Sequence, residues 1–202
     1  PWPRSLQADL IDFLVLSGSK AVLFDILFTE NERVPGAPPG TLSPNDGRLI
    51  ESSAAAGNVY HAAQIVIDEE DEYNKALLNR PLPDDFVEAF SIKTKGVPAT
   101  PHNNYYIPFP ELYSASKGIG VVEFLSDGDG IYRRTKLIRH YRGSYFPVLS
   151  IAPLIGILKP DYIELKKDRL VLFPSPQPSS KGRGSAERDS PTRGEGEVEI
   201  PI

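Results

Sequence analysis

Asp25 is the residue whose position most needs a chemical explanation, because it is the one polar residue in the apolar run from Ala21 to Phe28. A carboxylate inside an apolar strand must be ion-paired, hydrogen-bonded or protonated. Two roles meet that requirement. One is structural, with loop amides or an arginine such as Arg4 or Arg134 as the partner, and the other is contact with a ligand. The apolar surroundings favour the structural role.

Tyr113 and Lys117 have the Y-x-x-x-K spacing that resembles the catalytic pair of short-chain dehydrogenases, in which a lysine lowers the pKa of a tyrosine for proton transfer. Two features weigh against this chemistry. The sequence upstream contains no glycine-rich turn of the kind that holds a dinucleotide pyrophosphate at a helix N-terminus. Gly118 and Gly120 would also end the helix at once. A short-chain-dehydrogenase-like oxidoreductase therefore stays only as an alternative function.

The other polar clusters have structural interpretations. The acidic, glycine-rich segment 127–130 lacks the later ligands of an EF-hand loop, and its composition predicts a turn. His61, His102 and His140 are too far apart in sequence to form a paired metal-binding motif, and the chain has no cysteine. We therefore predict no catalytic residues, no metal site and no cofactor.

Composition limits the class of protein further. The net charge of -5 excludes the basic footprint of a nucleic-acid-binding domain, so we expect no nucleic-acid partner. The longest apolar stretch, from Phe146 to Leu158, is interrupted by Ser150 and Pro153 and is shorter than the roughly 20 residues of a membrane span. Because the chain begins with Pro1 and has no methionine, we expect a fragment whose anchoring segments lie outside it.

The elements that must position these residues alternate along the first part of the chain. A stripe formed by Leu6, Leu10, Phe13 and Leu14 predicts an amphipathic helix over 5–16, and Ser43 to Asp46 has the composition of a capping box. The alternation of helices and strands predicts right-handed crossovers and a parallel sheet. The predicted order is helix 5–16, strand 21–28, helix 44–56 and strand 59–67.

Antiparallel pairing is predicted towards the C-terminus. Segments 162–165 and 169–172 have the pattern of a hairpin, and the segment 145–158 that precedes them is predicted to pack as a short helix after Pro147. The other predicted elements are helices at 83–90 and 111–116 and strands at 121–125 and 132–141. The expected fold is α/β, with a largely parallel central sheet flanked by helices and an antiparallel hairpin portion.

This pattern divides the chain into three predicted segments. Residues 1–173 are predicted to form one α/β domain. Residues 174–197, rich in Ser, Pro, Gly and mixed charge, are predicted to be a low-complexity disordered insertion. Residues 198–202 regain strand character and are predicted to be a returning strand of the same domain.

Five blocks of sequence occur in this order along the chain: Pro1 to Arg4, Val22 to Phe28, Gly57 to Val59, Gly118 to Gly120 and Asp127 to Arg134. Taken together, they resemble the type-two CHASE domain, the cyclase- and histidine-kinase-associated sensory extracellular domain. The strand that should precede Trp2 is missing here, and the stretch 174–197 does not look like a feature of that family.

The resemblance implies an extracytoplasmic sensory domain, periplasmic or on the cell surface, of a bacterial transmembrane receptor such as a histidine kinase or a nucleotide cyclase. It implies a membrane-anchored parent protein, a homodimer in that receptor and a small-molecule ligand of unknown identity, with no catalytic residues to transfer. A dimerisation module that binds no ligand is the other alternative.

The expected ligand crevice lies at the carboxyl ends of the strands that end near Phe28 and Ile67. Two adjacent arginines in the set of candidate lining residues would suit an anionic ligand, although a solvated or ion-paired strand edge is the commoner place for such residues. The candidate lining residues are Asp25, Arg4, Asp129, Arg133 and Arg134.

Overall fold

The computed structural model describes residues 2–70, 72, 74–122, 128–131, 135–167, 169–174 and 198–201. The helices are α1 (Arg4–Leu16), α2 (Pro44–Ala56), α3 (Asp84–Phe90), α4 (Pro110–Ala115) and α5 (Ala152–Leu158). The strands are β1 (Val22–Phe24), β2 (Val59–Val66), β3 (Thr94–Lys95), β4 (Asn104–Tyr106), β5 (Gly118–Val121), β6 (Ile138–Tyr141), β7 (Ser144–Pro147), β8 (Pro160–Leu165), β9 (Arg169–Pro174) and β10 (Val198–Pro201).

The central sheet is built around β2. Strands β1 and β5 pair with β2 in parallel, and β4 pairs with it antiparallel. Ile11, Leu49 and Leu112, from α1, α2 and α4, pack with Val22 and Phe24 of β1 on one face. The other face packs against the segment that leads into α5, through a cluster of Tyr60, Ala62, Leu149 and Ala152. The predicted α/β fold, with helices covering a largely parallel sheet, is confirmed.

Helix α2 forms where the sequence predicts it because both of its ends are capped. The Ser43 hydroxyl accepts a hydrogen bond from the Asp46 amide at 3.0 Å, and the Asp46 carboxylate accepts one from the Ser43 amide at 2.9 Å. Gly57 ends the helix in the left-handed conformation, at φ 62°, which glycine adopts without steric strain.

Helix α1 is confirmed as an element, but of the stripe that predicted it only Leu14 packs against the core. The buried residues are Ala8 and Ile11, whereas Leu6, Leu10 and Phe13 are exposed. The cause is a second set of apolar residues on the opposite side of the helix, which packs on β1 and α2. An apolar stripe therefore remains on the outer surface of α1.

Strand β1 is shorter than predicted. It pairs with β2 only over Val22–Phe24, and Asp25 is exposed just beyond its end. The prediction that Asp25 lies inside a buried strand over 21–28 was wrong. Ending the strand at Phe24 leaves the carboxylate in water, which avoids the free-energy penalty of burying it.

The C-terminal half contains the predicted antiparallel portion. Strands β6 and β7 form a hairpin, β8 and β9 form another, and β10 pairs antiparallel with β9. The short helix predicted after Pro147 starts only at Ala152, and β7 occupies Ser144–Pro147 before it. Strand β5 begins at Gly118, before the strand predicted at 121–125, and residues 123–125 of that prediction lie outside the described residues. Residues 123–127, 132–134 and 175–197, which include most of the predicted insertion, lie outside the described residues.

Candidate functional site: a cavity at the carboxyl edge of the central sheet

A cavity of about 270 Å³ opens where β1 and β5 end, on the face of the central sheet that packs against α5. We call it the sheet-edge cavity. The carboxyl edge of a parallel sheet is where α/β proteins generally bind ligands. The lining residues are Leu23, Asp25, Val121, Val122, Thr135, Val148, Leu149 and Ser150.

The cavity combines two distant parts of the chain. Leu23 and Asp25 come from the end of β1, and the segment 148–150 follows β7. That segment is held against β5 by a hydrogen bond from the Leu149 amide to the Val121 carbonyl, at 3.1 Å. Gly120 permits the approach, because a Cβ at this position would lie 2.2 Å from the Leu149 Cα atom.

Asp25 is the one charged residue among the described residues that line the cavity. Its neighbours there are apolar side chains and the hydroxyls of Thr135 and Ser150. Asp25 has no hydrogen-bond or ion-pair partner within the described part of the chain. The carboxylate can therefore accept hydrogen bonds from a ligand whose body contacts the apolar wall.

Arg4, which was predicted to lie near Asp25, has other partners. Its guanidinium forms an ion pair with Asp46 and donates a hydrogen bond to the Glu30 carbonyl. It also lies over the rings of Phe28 and Phe109, 5.3 Å and 5.2 Å from their centroids. The predicted pairing of Asp25 with Arg4 is therefore wrong, because the two residues line different cavities.

The partners of Arg4 form a buried polar junction between α1, α2 and the chain around Glu32. Burial by itself would raise the pKa of Asp46, but hydrogen bonds from the Ser43 amide, the Arg4 guanidinium and the Glu32 amide outweigh it and lower that pKa. The Glu32 carboxylate accepts hydrogen bonds from the Arg4 amide at 2.9 Å and the Asn45 side chain at 2.9 Å. These contacts give Arg4 a structural role.

Asp129, another predicted site residue, does not line the sheet-edge cavity. The Asp129 carboxylate accepts a hydrogen bond from the Ile131 amide at 3.1 Å, in a turn that includes Gly130 at φ 80°. Segment 128–131 therefore has the predicted turn conformation. Arg133 and Arg134 lie outside the described residues, and their predicted contact with a ligand stays a prediction.

The Tyr113 and Lys117 pair is not arranged as a dehydrogenase would need it. The Tyr113 hydroxyl donates a hydrogen bond to the Asp85 carboxylate at 2.8 Å. Burial, together with Asp85, raises the pKa of Tyr113 to about 12, whereas proton transfer would need a lowered pKa. Helix α4 also ends at Ala115, before Lys117.

His61 is a notable buried group that its sequence position did not single out. It lies in β2, fully buried, with its ring stacked on Phe24 at a centroid distance of 5.6 Å. Its Nδ1 is 2.9 Å from the Ser116 hydroxyl, which itself donates to the Leu112 carbonyl at 2.7 Å, so the histidine nitrogen must be the donor. Burial lowers the pKa of His61 to about 4 and keeps it neutral.

Metal sites and membrane-spanning helices both depend on local arrangements of side chains. The described residues contain no cluster of three or more His, Cys, Asp or Glu side chains able to hold a metal ion. Within the same part of the chain, no helix has the length and apolar character needed to cross a bilayer.

Comparison with known proteins identifies one family. The sequence model of the CHASE2 domain matches residues 1–198. No curated protein and no solved structure matches the chain.

Proposed function

The chain belongs to the CHASE2 domain family of sensory domains, and from this membership we propose that it is the extracytoplasmic input domain of a bacterial transmembrane receptor, such as a histidine kinase or a nucleotide cyclase. The observation that carries the proposal is the match of the family over residues 1–198. In this role the domain transforms no substrate. A stimulus would shift its conformation, and membrane segments outside this chain would transmit the change.

Location can be tested because the chain has no cysteine. Leu77→Cys in the full-length receptor places a thiol at an exposed loop position. We expect a membrane-impermeant maleimide to label this variant in intact cells, and the unsubstituted receptor to stay unlabelled at this domain. Labelling that requires cell lysis would place the domain in the cytoplasm and contradict the proposal.

The sheet-edge cavity is our candidate for the stimulus site. Its volume of about 270 Å³ suits a small metabolite rather than a peptide. Its walls come from β1 and from the segment 148–150, two parts of the chain far apart in sequence. A ligand that contacts both walls favours the arrangement in which they are close. Binding can therefore shift the conformation of the domain, as a sensor requires.

The chemistry of the walls suggests the class of ligand. The apolar side chains favour a compact apolar body, and the exposed Asp25 carboxylate favours a protonated amine or a hydroxyl group. We propose a small amine or polyol with an apolar portion. The anionic ligand that the sequence suggests depends on Arg133 and Arg134, which lie outside the described residues.

A thermal-shift screen of small amines, polyols, sugars, carboxylic acids and inorganic anions tests the site. A ligand at 100 times its Kd stabilises a folded protein by about 2.7 kcal/mol, which raises the melting temperature by several degrees. We expect an amine or polyol to raise the melting temperature of the 202-residue chain. Asp25→Asn should then reduce that shift, because it removes the charge while keeping the size of the side chain.

The matched control is Glu30→Gln, which removes one exposed carboxylate that does not line the sheet-edge cavity. It should leave the ligand-induced shift unchanged. If Asp25→Asn leaves the thermal shift produced by a ligand unchanged, that ligand binds at another site. If no compound in the panel changes the melting temperature, a dimerisation module without a ligand becomes the better interpretation.

A further inference from the structure

The outer surface of α1 carries an apolar stripe that nothing in the described chain covers. Its residues are spaced by three or four positions, so they lie along one side of the helix and of the turn that precedes it. Trp2 is 77% exposed, Leu6 and Leu10 are 48% exposed, Phe13 is 64% exposed and Leu16 is 88% exposed. We call these five residues the α1 outer stripe.

The size of the stripe is comparable to half of a protein interface. Its exposed side chains amount to about 700 Å², whereas a stable interface buries about 800 Å² on each partner. Scattered exposed apolar residues are ordinary, but a contiguous patch of this size marks an interaction surface. The inner side of the helix is already used, because Ile11 packs on β1 and α2.

The charges around the stripe are partly compensated within each molecule, which permits the approach of a second copy. Asp9 and Asp12, which border the stripe, both pair with Arg48 of α2. Two carboxylates and one guanidinium leave one net negative charge beside each stripe, and Arg48 offsets part of the repulsion between two approaching copies. Arg4, the single basic residue of α1, is engaged by Asp46.

Other occupants fit less well. Helices that lie on membranes carry several lysine or arginine residues beside the apolar face, and α1 has no free basic group there. The segment 175–197 of this chain has, apart from prolines, a single apolar residue, Ala186, so it cannot cover the stripe with large apolar side chains.

We propose that the α1 outer stripe is the contact surface between two copies of this domain, packed α1 against α1 about a two-fold axis. The interface is isologous, so each stripe covers its own counterpart. Leu10 lies in the middle of the stripe, and a two-fold axis there brings the two Leu10 side chains together whether the helices run parallel or antiparallel.

Sedimentation velocity over about 1 to 100 µM tests the interface in solution. The 202-residue chain should form a concentration-dependent dimer. Leu10→Lys should raise the dissociation constant by at least about tenfold, because it places two charges at the apolar centre. Leu77→Lys is the matched control, since Leu77 is 42% exposed but lies outside the stripe, and it should leave the constant unchanged.

A cross-link gives an independent readout, because the chain has no other cysteine. Leu10→Cys should form a disulfide-linked dimer under mild oxidation, and Leu77→Cys should not. A chain that stays monomeric at the highest concentration, or a dimer in which Leu10→Cys fails to cross-link, would overturn the proposal. A monomer that instead co-sediments with neutral phosphatidylcholine vesicles would assign the stripe to a membrane and would overturn it equally.

Discussion

The side chain of His61 couples the stability of the fold to pH. It is a fully buried imidazole within the β2 strand, and protonation would place a positive charge beside Phe24 and Phe28. Its Nε2 atom has no hydrogen-bond partner among the described residues. Because burial lowers its pKa from 6.5 to about 4, the folded state takes up this proton later than the unfolded state as the pH falls.

Acidification should therefore destabilise the fold. Above pH 6.5 neutral His61 makes its full contribution to the free energy of unfolding. Between pH 6.5 and 4 the histidine is protonated in the unfolded state but stays neutral in the folded state. The free energy of unfolding should fall by about 1.4 kcal/mol for each pH unit across this window. Urea titrations at several pH values, followed by circular dichroism, measure this slope.

His61→Asn is the variant that isolates the effect, because its amide can still donate a hydrogen bond to Ser116 but does not titrate. In this variant the free energy of unfolding should depend much less on pH between 6.5 and 4. An unchanged slope in this variant would assign the acid sensitivity to other groups. The acidic residues with lowered pKa values, Asp12, Glu32 and Asp46, lose their contributions as the pH falls below their ordinary values of 3.8, 4.5 and 3.8, so most of the His61 window lies above theirs.

At the scale of elements, local signals predicted the helices well. The capping box of Ser43 and Asp46, with Gly57 at the other end, specifies α2 through contacts between near neighbours in sequence. Local signals did not show which side of α1 is buried. Both sides carry apolar residues, and the choice depends on contacts of Ile11 with α2 and β1, which are distant in sequence.

Strand ends were harder to predict for a related reason. The apolar run 21–28 continues past Phe24, but β1 ends there because its pairing with β2 ends there. Pairing is a property of two segments, and a single segment does not reveal it. The same limit displaced the start of β5, since Gly118 and Gly120 have the composition of a break although both pair with β2.

At the scale of the whole molecule, the candidate site was predictable only in outline. The general rule for parallel sheets indicated the carboxyl edge, and Asp25 does line the cavity found there. The opposite wall, formed by Val148, Leu149 and Ser150, had no signal in the sequence. It is assembled by the packing of the C-terminal half of the chain against β5.

Gly120 lies where these two halves meet, and its substitution tests how closely they pack. In Gly120→Ala the new Cβ would lie 2.2 Å from the Leu149 Cα atom and 2.7 Å from its nitrogen, both of which belong to the backbone. The strand and the segment 148–150 must move apart. We expect a loss of about 2 to 3 kcal/mol in the free energy of unfolding, measured by urea titration.

Gly128→Ala is the matched control, because a Cβ at this position would have no other atom within 4 Å. Its stability should stay within about 0.5 kcal/mol of the parent chain. Since Leu149 and Ser150 also line the sheet-edge cavity, Gly120→Ala should in addition reduce the thermal shift produced by any ligand found for the cavity. Equal unfolding free energies for the two variants would show that β5 and the segment 148–150 are not in close contact, and the two-walled site would lose its basis.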